Sequence, residues 1–324
     1  GLASLLVFTL ASPVQLRLEP AVRTDAVPTD ADDPAIWRHP TDPARSLVIA
    51  TNKVAAPAGA IVVYDLAGRI LQTIAGLERP NNVDVEQDVP WGATRVDLVV
   101  AAERLKSRLR VWRVDVAARR LVDVGAVPVL HGEEGQRAMP MGVALYLRPA
   151  DGALFAIVSP KTGDTADYLA QYRLTPTATG GVAGALVRRF GAFSGVSAGP
   201  DGENEVEAVL VDDGLGYVYY SDEHAAVRKY HADPAHADAA RELAAFARRG
   251  FTGQREGLGL YATSPTTGFV VVTDQVVGGS TYRLYPREGE PGRPHDHDRL
   301  VAELRTPADA TDGIDVTSAP MGPQ

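Results

Sequence analysis

A two-strand sequence unit recurs along this chain, and the repetition constrains the fold more than any other feature. Each copy joins a short apolar run to a second run rich in Val, Ile, Leu or Tyr across a turn of polar residues, Gly or Pro. The copies lie about 50 to 65 residues apart, a spacing typical of propeller blades. They begin at Asp33, Asn81, Met141, Val206 and Glu256, with a further start, DGIDV, at Asp312.

Two more strand candidates follow each pair, as AIVVYDL and ILQTI do in the first copy. Four antiparallel strands make one propeller blade, and no long 3.6-residue periodicity interrupts the pattern. We therefore predict an all-β fold, a six-bladed β-propeller with four-stranded antiparallel blades. The last blade starts at Asp312 and is incomplete in this sequence. We expect that either residues 14–22 complete it or the chain continues further.

The first residues form an apolar run, LASLLVFTLA, from Leu2 to Ala11. Ten such residues are too few to span a bilayer, and the small residues that end the run are typical of a secretory signal. We interpret residues 1–20 as a signal-peptide remnant or a closing strand, and residues 21–324 as one propeller domain. The expected location is secreted or periplasmic, without a membrane partner.

Composition limits the chemistry that this chain can perform. There is no cysteine, so thiolate metal sites and thiol nucleophiles are excluded, and a metal would have to be bound by oxygen or histidine. A formal net charge of -9 argues against nucleic acid, which would require a basic face. It also repels an anionic substrate, unless basic groups or cations reverse the field within one cleft. We expect the protein to be a monomer.

The repeat predicts where charged residues meet. In an antiparallel pair, the start of the first strand and the end of the second lie on the same face. In a propeller these positions therefore converge around one end of the central channel, which we call the mouth. The first-strand starts supply the carboxylates Asp33, Glu207, Glu256 and Asp312. The second-strand ends supply Lys53, Arg104 and Lys161 in the first three copies, then Asp222 and Glu223 in the fourth.

This segregation of charge predicts an acidic side and a basic side at one mouth. Clustered carboxylates repel one another unless they are neutralised, and Ca²⁺ takes six to eight oxygen ligands. Lysine and arginine on the facing side suit phosphate oxygens. Any one of these residues alone is most simply a solvated turn charge, but their joint arrangement indicates a phosphate held against metal ions.

Four segments resemble the β-propeller phytases: DDPAIWRHPTDP from Asp32, NNVDV from Asn81, EGLGLY from Glu256 and TDGIDV from Thr311. The resemblance implies calcium-dependent release of phosphate from phytate, myo-inositol hexakisphosphate, with several Ca²⁺ ions and the substrate bound as a calcium complex. It implies catalytic roles for Lys53, Arg104, Lys161, Glu207 and Glu256. The implied calcium ligands are Asp33, Glu207, Asp222, Glu223, Glu256 and Asp312.

Three residues depart from the pattern of that family. Val54 replaces a second Lys, Met141 replaces a Tyr, and Gln254 replaces an acidic residue. Two alternatives therefore stay open. A calcium-dependent propeller lactonase would use the carboxylates but would leave the three bases unexplained. A non-catalytic, phytase-like binding propeller would be consistent with the three replacements.

Overall fold

The computed structural model describes residues 12–199 and 202–322. Within these ranges the chain forms 21 β-strands arranged in five sheets, which confirms the all-β prediction and the propeller architecture. Helical structure in the same ranges is limited to short 3₁₀ turns, at Pro43–Arg45, Arg104–Lys106, Gly135–Ala138 and Val196–Ala198. None of these turns is long or apolar enough to cross a membrane.

Each sheet is one blade, and its strands follow one another in chain order. The first strand, β1 (Val14–Arg17), belongs to the last blade. Blade 1 contains β2 (Ala31–Trp37), β3 (Leu47–Asn52), β4 (Ala60–Tyr64) and β5 (Ile70–Ala75). Blade 2 contains β6 (Pro80–Trp91), β7 (Thr94–Glu103), β8 (Arg108–Asp115) and β9 (Arg120–Pro128).

The remaining blades repeat this antiparallel order. Blade 3 contains β10 (Pro140–Leu147), β11 (Leu154–Pro160), β12 (Leu169–Pro176) and β13 (Val182–Phe190). Blade 4 contains β14 (Val209–Asp212), β15 (Tyr217–Asp222), β16 (Ala226–His231) and β17 (Ala244–Phe246). Blade 5 contains β18 (Leu258–Ala262), β19 (Gly268–Asp274), β20 (Thr281–Pro286) and β21 (Ala302–Arg305), with β1 as a fifth strand.

The described residues form five blades, so the prediction of six is wrong. The segment from Asp312 lies beside blade 1, where Gly313 N donates to Asp32 O at 3.2 Å. Ile36 N donates to the Asp315 side chain at 2.7 Å. This backbone N–H therefore bonds to a carboxylate and not to a carbonyl of a neighbouring strand. Residues 14–17 do not complete a blade there, because they pair in parallel with β21.

The hydrophobic cores lie between neighbouring blades. Trp37 and Trp112 are buried between blades 1 and 2, and Phe246 and Tyr285 between blades 4 and 5. The inner strands are consequently covered on both faces, and β11 is buried along its whole length. A continuous apolar run is the sequence pattern of such a strand. This packing turns the first strands of all blades toward a common axis.

The predicted division into residues 1–20 and 21–324 falls partly outside the described chain. The proposed signal-peptide remnant lies mainly in residues 1–11, which the structure does not describe. The following residues include β1, which forms the outer edge of blade 5.

Candidate active site at the mouth of the propeller

The second strands end where the sequence predicts, and a charged residue of the mouth follows immediately after each strand end. Strands β3, β7, β11 and β15 end immediately before Lys53, Arg104, Lys161 and Glu223. Each of these residues donates its backbone N–H to a carbonyl in the segment that precedes the first strand of its blade. The acceptors are Asp30, Arg79, Met139 and Glu205, at 2.8 to 3.3 Å. One repeated bond thus fixes both loops of each blade at the mouth.

The acidic side is built from blades 1, 4 and 5 and from the segment at Asp312. Asp32, Glu223 and Glu256 are buried, while Glu207 and Asp312 are half-buried. Burial, followed by the charge of Glu207, raises the pKa of Asp32 to about 8. The pKa of Glu256 is raised well above its usual range by burial and by Glu223. Burial and neighbouring carboxylates raise the pKa values of Glu223 and Asp312 in the same way.

Lys53 lies among these carboxylates. Its Nζ contacts Asp32 Oδ1 and lies 3.5 Å from Glu207 Oε2. Burial lowers the pKa of Lys53, but Glu207 and Asp32 outweigh that effect and raise it above its ordinary value. Neither carboxylate oxygen of Asp32 accepts a hydrogen bond of good geometry from the described residues. One cation therefore offsets only part of the negative charge on this side.

The basic side continues from Lys53 to blades 2 and 3. Arg104 is buried, and its Nη1 donates to Asn81 Oδ1 at 3.3 Å. Burial, followed by the nearby charge of Arg79, lowers the pKa of Arg104. Lys161 contacts the carboxylate of Glu205. The mouth therefore brings the three predicted bases together with Glu207, Glu223, Glu256 and Asp312.

Two of the predicted metal ligands are used elsewhere in the structure. Asp33 Oδ2 accepts a hydrogen bond from Val83 N at 2.9 Å and faces the channel between blades 1 and 2. Asp222 is fully buried and accepts hydrogen bonds from Ser194, Asn204 and Arg228. In each case the adjacent acidic residue, Asp32 or Glu223, is the one directed at the mouth.

Three mouth residues were missed by the sequence analysis. The sequence prediction selected Asp33, whereas in the structure the adjacent Asp32 contacts Lys53 at the mouth. Glu205 lies two positions before Glu207 in the segment that precedes β14, and its carbonyl accepts a hydrogen bond from Glu223 N at 3.3 Å. Arg79 lies in the loop before β6, and no repeat feature distinguishes it.

A second acidic group lines the channel below the mouth, around a cavity of about 270 Å³. Asp84 and Asp315 accept backbone hydrogen bonds from Leu145 and Ile36 of the neighbouring blades. Burial raises the pKa of Asp84 to about 7 and that of Asp315 to about 6. Asp84 thus connects the first strands of blades 2 and 3, and Asp315 connects the segment from Asp312 to the first strand of blade 1.

The mouth carboxylates fit a hard divalent cation by donor type and charge. They offer buried oxygen ligands in excess over nearby cations, and both oxygens of Asp32 lack a hydrogen-bond donor of good geometry. They are not gathered around one point, since no three His, Asp or Glu side chains in residues 12–199 and 202–322 converge closely enough to hold an ion. Lys53 lies between Asp32 and Glu207 instead.

The fold and the mouth together define a β-propeller in which buried carboxylates and basic side chains meet at one end of the channel. The phytase family model matches residues 3–324, and the chain belongs to the phytase family, which is a family of hydrolases. This confirms the resemblance predicted from the sequence. The curated 3-phytase of Bacillus subtilis (strain 168) is 28% identical over 296 residues, covering 91% of this chain and 72% of that protein.

Among solved structures, a functionally unknown protein from Desulfotomaculum acetoxidans DSM 771 matches 87% of this chain and 74% of its own, with a TM-score of 0.52 and 13% identity. This likeness concerns the fold alone. The periplasmic gluconolactonase of Pseudomonas aeruginosa is 15% identical, with a TM-score of 0.49 over 82% of this chain and 68% of its own. That likeness is too distant to bear on function.

Proposed function

We propose that the protein is a calcium-dependent phosphomonoester hydrolase that releases phosphate from phytate. The observation that carries this proposal is the placement of Lys53, Arg104 and Lys161 beside carboxylates at one mouth. A neutral substrate such as a lactone offers nothing for three cationic side chains to bind. Membership of the phytase family and the similarity to a 3-phytase support inositol phosphate as the substrate class.

Glu207, Glu223, Glu256 and Asp312 would hold calcium together with Asp32. The raised pKa values of Glu223, Glu256 and Asp312 reflect burial and repulsion from neighbouring carboxylates, and a divalent cation relieves that repulsion. Bound calcium would supply charge neutralisation and activation of water for attack on phosphorus. Asp33 and Asp222 fit this role less well, because their carboxylates already accept hydrogen bonds within the fold.

The cationic side chains bind and orient the phosphate. The planar guanidinium of Arg104 can contact two phosphate oxygens at once, whereas Lys53 and Lys161 act as point charges. Both lysines contact carboxylates in this structure, with Lys53 on Asp32 and Lys161 on Glu205. Neutralisation of the acidic side would free them for the negative charge of the transition state.

We further propose that the substrate enters as a calcium complex and that the protein acts as a secreted or periplasmic monomer. The chain carries a formal net charge of -9, which repels free phytate. Complexed calcium would reduce that repulsion at the mouth. The apolar run from Leu2 to Ala11 supports export.

The test is phosphate release from phytate by protein treated with a chelator, measured with and without added Ca²⁺. We expect release only when calcium is restored, and little release with Mg²⁺ at equal concentration, because Mg²⁺ requires tighter octahedral geometry. Release without any divalent cation would contradict calcium dependence. No release from any phosphate ester, with calcium binding intact, would favour a non-catalytic binding propeller.

A further inference from the structure

The arc of positive charge at the mouth contains a fourth cation, Arg79, which the sequence analysis did not assign. Its backbone N–H donates to Val54 O at 3.0 Å, next to Lys53 in blade 1. Its carbonyl accepts from Arg104 N at 3.0 Å in blade 2. Arg79 therefore lies between two predicted phosphate-binding residues, Lys53 and Arg104.

Arg79 differs from the other three bases in having no partner. Lys53 and Lys161 contact carboxylates, and Arg104 donates to Asn81. No hydrogen bond or ion pair involves the Arg79 side chain in the described part of the chain, although its Nε is buried from solvent. A buried donor without a partner is costly, so this position favours an acceptor that the protein itself does not supply.

The surroundings of Arg79 favour an anion as that acceptor. Arg79 and Arg104 are joined by a backbone hydrogen bond, and the charge of Arg79 contributes to the lowered pKa of Arg104, so the two positive charges repel each other. Arg79 is also held at a φ of 60°, a left-handed conformation that is uncommon for arginine. Its backbone hydrogen bonds impose this conformation and fix the origin of the side chain at the mouth. An anion between the two groups would relieve their repulsion.

We propose that Arg79 is a phosphate-binding residue that acts with Arg104 as a pair of guanidinium groups on one anionic group of the substrate. This inference rests on the proposed function, because it requires a phosphate ester as substrate. Two guanidinium groups present several N–H donors in fixed planes, which suits the oxygens of a phosphate.

The test compares Arg79→Gln and Arg79→Lys with the wild type, using inorganic phosphate in calorimetric titrations and phytate with Ca²⁺ in turnover. For Arg79→Gln we expect the Kd for phosphate and the KM for phytate to rise about 10-fold, with kcat changed much less. Arg79→Lys should fall between the two. Arg113→Gln is the matched control, since Arg113 is exposed on β8 and pairs with Leu98, away from the mouth.

Binding of inorganic phosphate tests this inference, and turnover of phytate tests the proposed function. Phosphate binding that depends on Arg79, without turnover of phytate, would support the guanidinium pair and contradict the proposed function. Turnover of phytate with an unchanged Kd and KM in Arg79→Gln would overturn the role of Arg79 alone. Absence of phosphate binding to the wild type would also overturn it. Unchanged melting temperatures would show that the variants fold.

Discussion

At the scale of single residues, the basic side chains at the mouth differ in whether they already contact a carboxylate. Lys161 contacts Glu205, whereas among the described residues the side chain of Arg104 is hydrogen-bonded to a neutral amide alone, that of Asn81. Burial also lowers the pKa of Arg104, because the folded protein does not fully compensate its charge. Under the proposed function, Arg104 would be available to a phosphate at once, while Lys161 would become available only after it leaves Glu205.

Replacing both bases should remove most of the phosphatase activity. For Arg104→Ala combined with Lys161→Ala we expect kcat/KM for phytate to fall about 10³-fold, since each group stabilises charge in the transition state. The measurement is steady-state phosphate release at saturating Ca²⁺, with Arg113→Ala as a control for the loss of a surface charge. Activity that persists in the double variant would refute the assignment of these bases.

Removing the partner of Lys161 should have the opposite effect. In Glu205→Gln the lysine is freed, and a partly exposed ion pair of this kind contributes on the order of 1 kcal/mol, so KM should fall about 5-fold. The calcium concentration needed for half-maximal activity should stay unchanged. A higher KM together with a higher calcium requirement would instead identify Glu205 as a metal ligand.

At the scale of elements, buried hydroxyls of the second strands hold the mouth loops of the following blade. Ser159 Oγ in β11 donates to Val206 O at 2.5 Å, next to Glu207. Ser221 Oγ in β15 donates to Arg255 O, next to Glu256. The repeated strand pair thus positions the carboxylates of the neighbouring blade as well as residues of its own.

The variant Ser221→Ala should therefore affect catalysis as well as stability. Loss of this bond leaves Arg255 O buried without its hydroxyl partner, which costs about 1 to 3 kcal/mol in the free energy of unfolding. Displacement of Glu256 should lower kcat about 10-fold. Thr273→Val is the matched control, because Thr273 Oγ1 is buried without a hydrogen-bond partner in the described chain and should tolerate its loss. Equal effects in both variants would exclude a positioning role for Ser221.

At the scale of the whole molecule, carboxylates collect around the propeller axis without enough cations to balance them. Burial raises the pKa values of Asp84, Asp213 and Asp315 to about 7, 6 and 6, above their ordinary value of 3.8. The folded protein therefore binds more protons than the unfolded chain between about pH 4 and pH 7. Stability contributed by the protonated forms is lost as the pH rises through this range.

Chelator-treated protein should accordingly melt at a lower temperature at pH 8 than at pH 5. Each pKa unit corresponds to about 1.4 kcal/mol, so we expect a fall of at least 5 °C, measured by scanning calorimetry. In Asp84→Asn the difference should shrink, whereas the exposed Asp88→Asn should behave as the wild type. A melting temperature that rises from pH 5 to pH 8 would contradict this account.

The blade repeat and the chemistry of the mouth could be predicted from local sequence. The second strands end immediately before Lys53, Arg104, Lys161 and Glu223, as the apolar runs indicate, because a run of strand-forming residues ends where the chain meets solvent. The structure brings the three predicted bases and Glu207, Glu223, Glu256 and Asp312 to one mouth. The roles of these residues, like calcium binding itself, stay predictions.

Three-dimensional packing decided the rest. Asp32 and Glu223 are directed at the mouth, whereas Asp33 and Asp222 form hydrogen bonds within the fold. Local sequence places both members of each pair at the same end of a strand, so it does not show which of them faces the mouth. The number of blades depends on whether the segment from Asp312 forms a ladder, and the carboxylate of Asp315 takes the bond from Ile36 instead. The arc from Lys53 through Arg79 to Arg104 arises only where loops of two blades meet. Local sequence determines strands and charges, whereas contacts between distant segments determine which charges face one another.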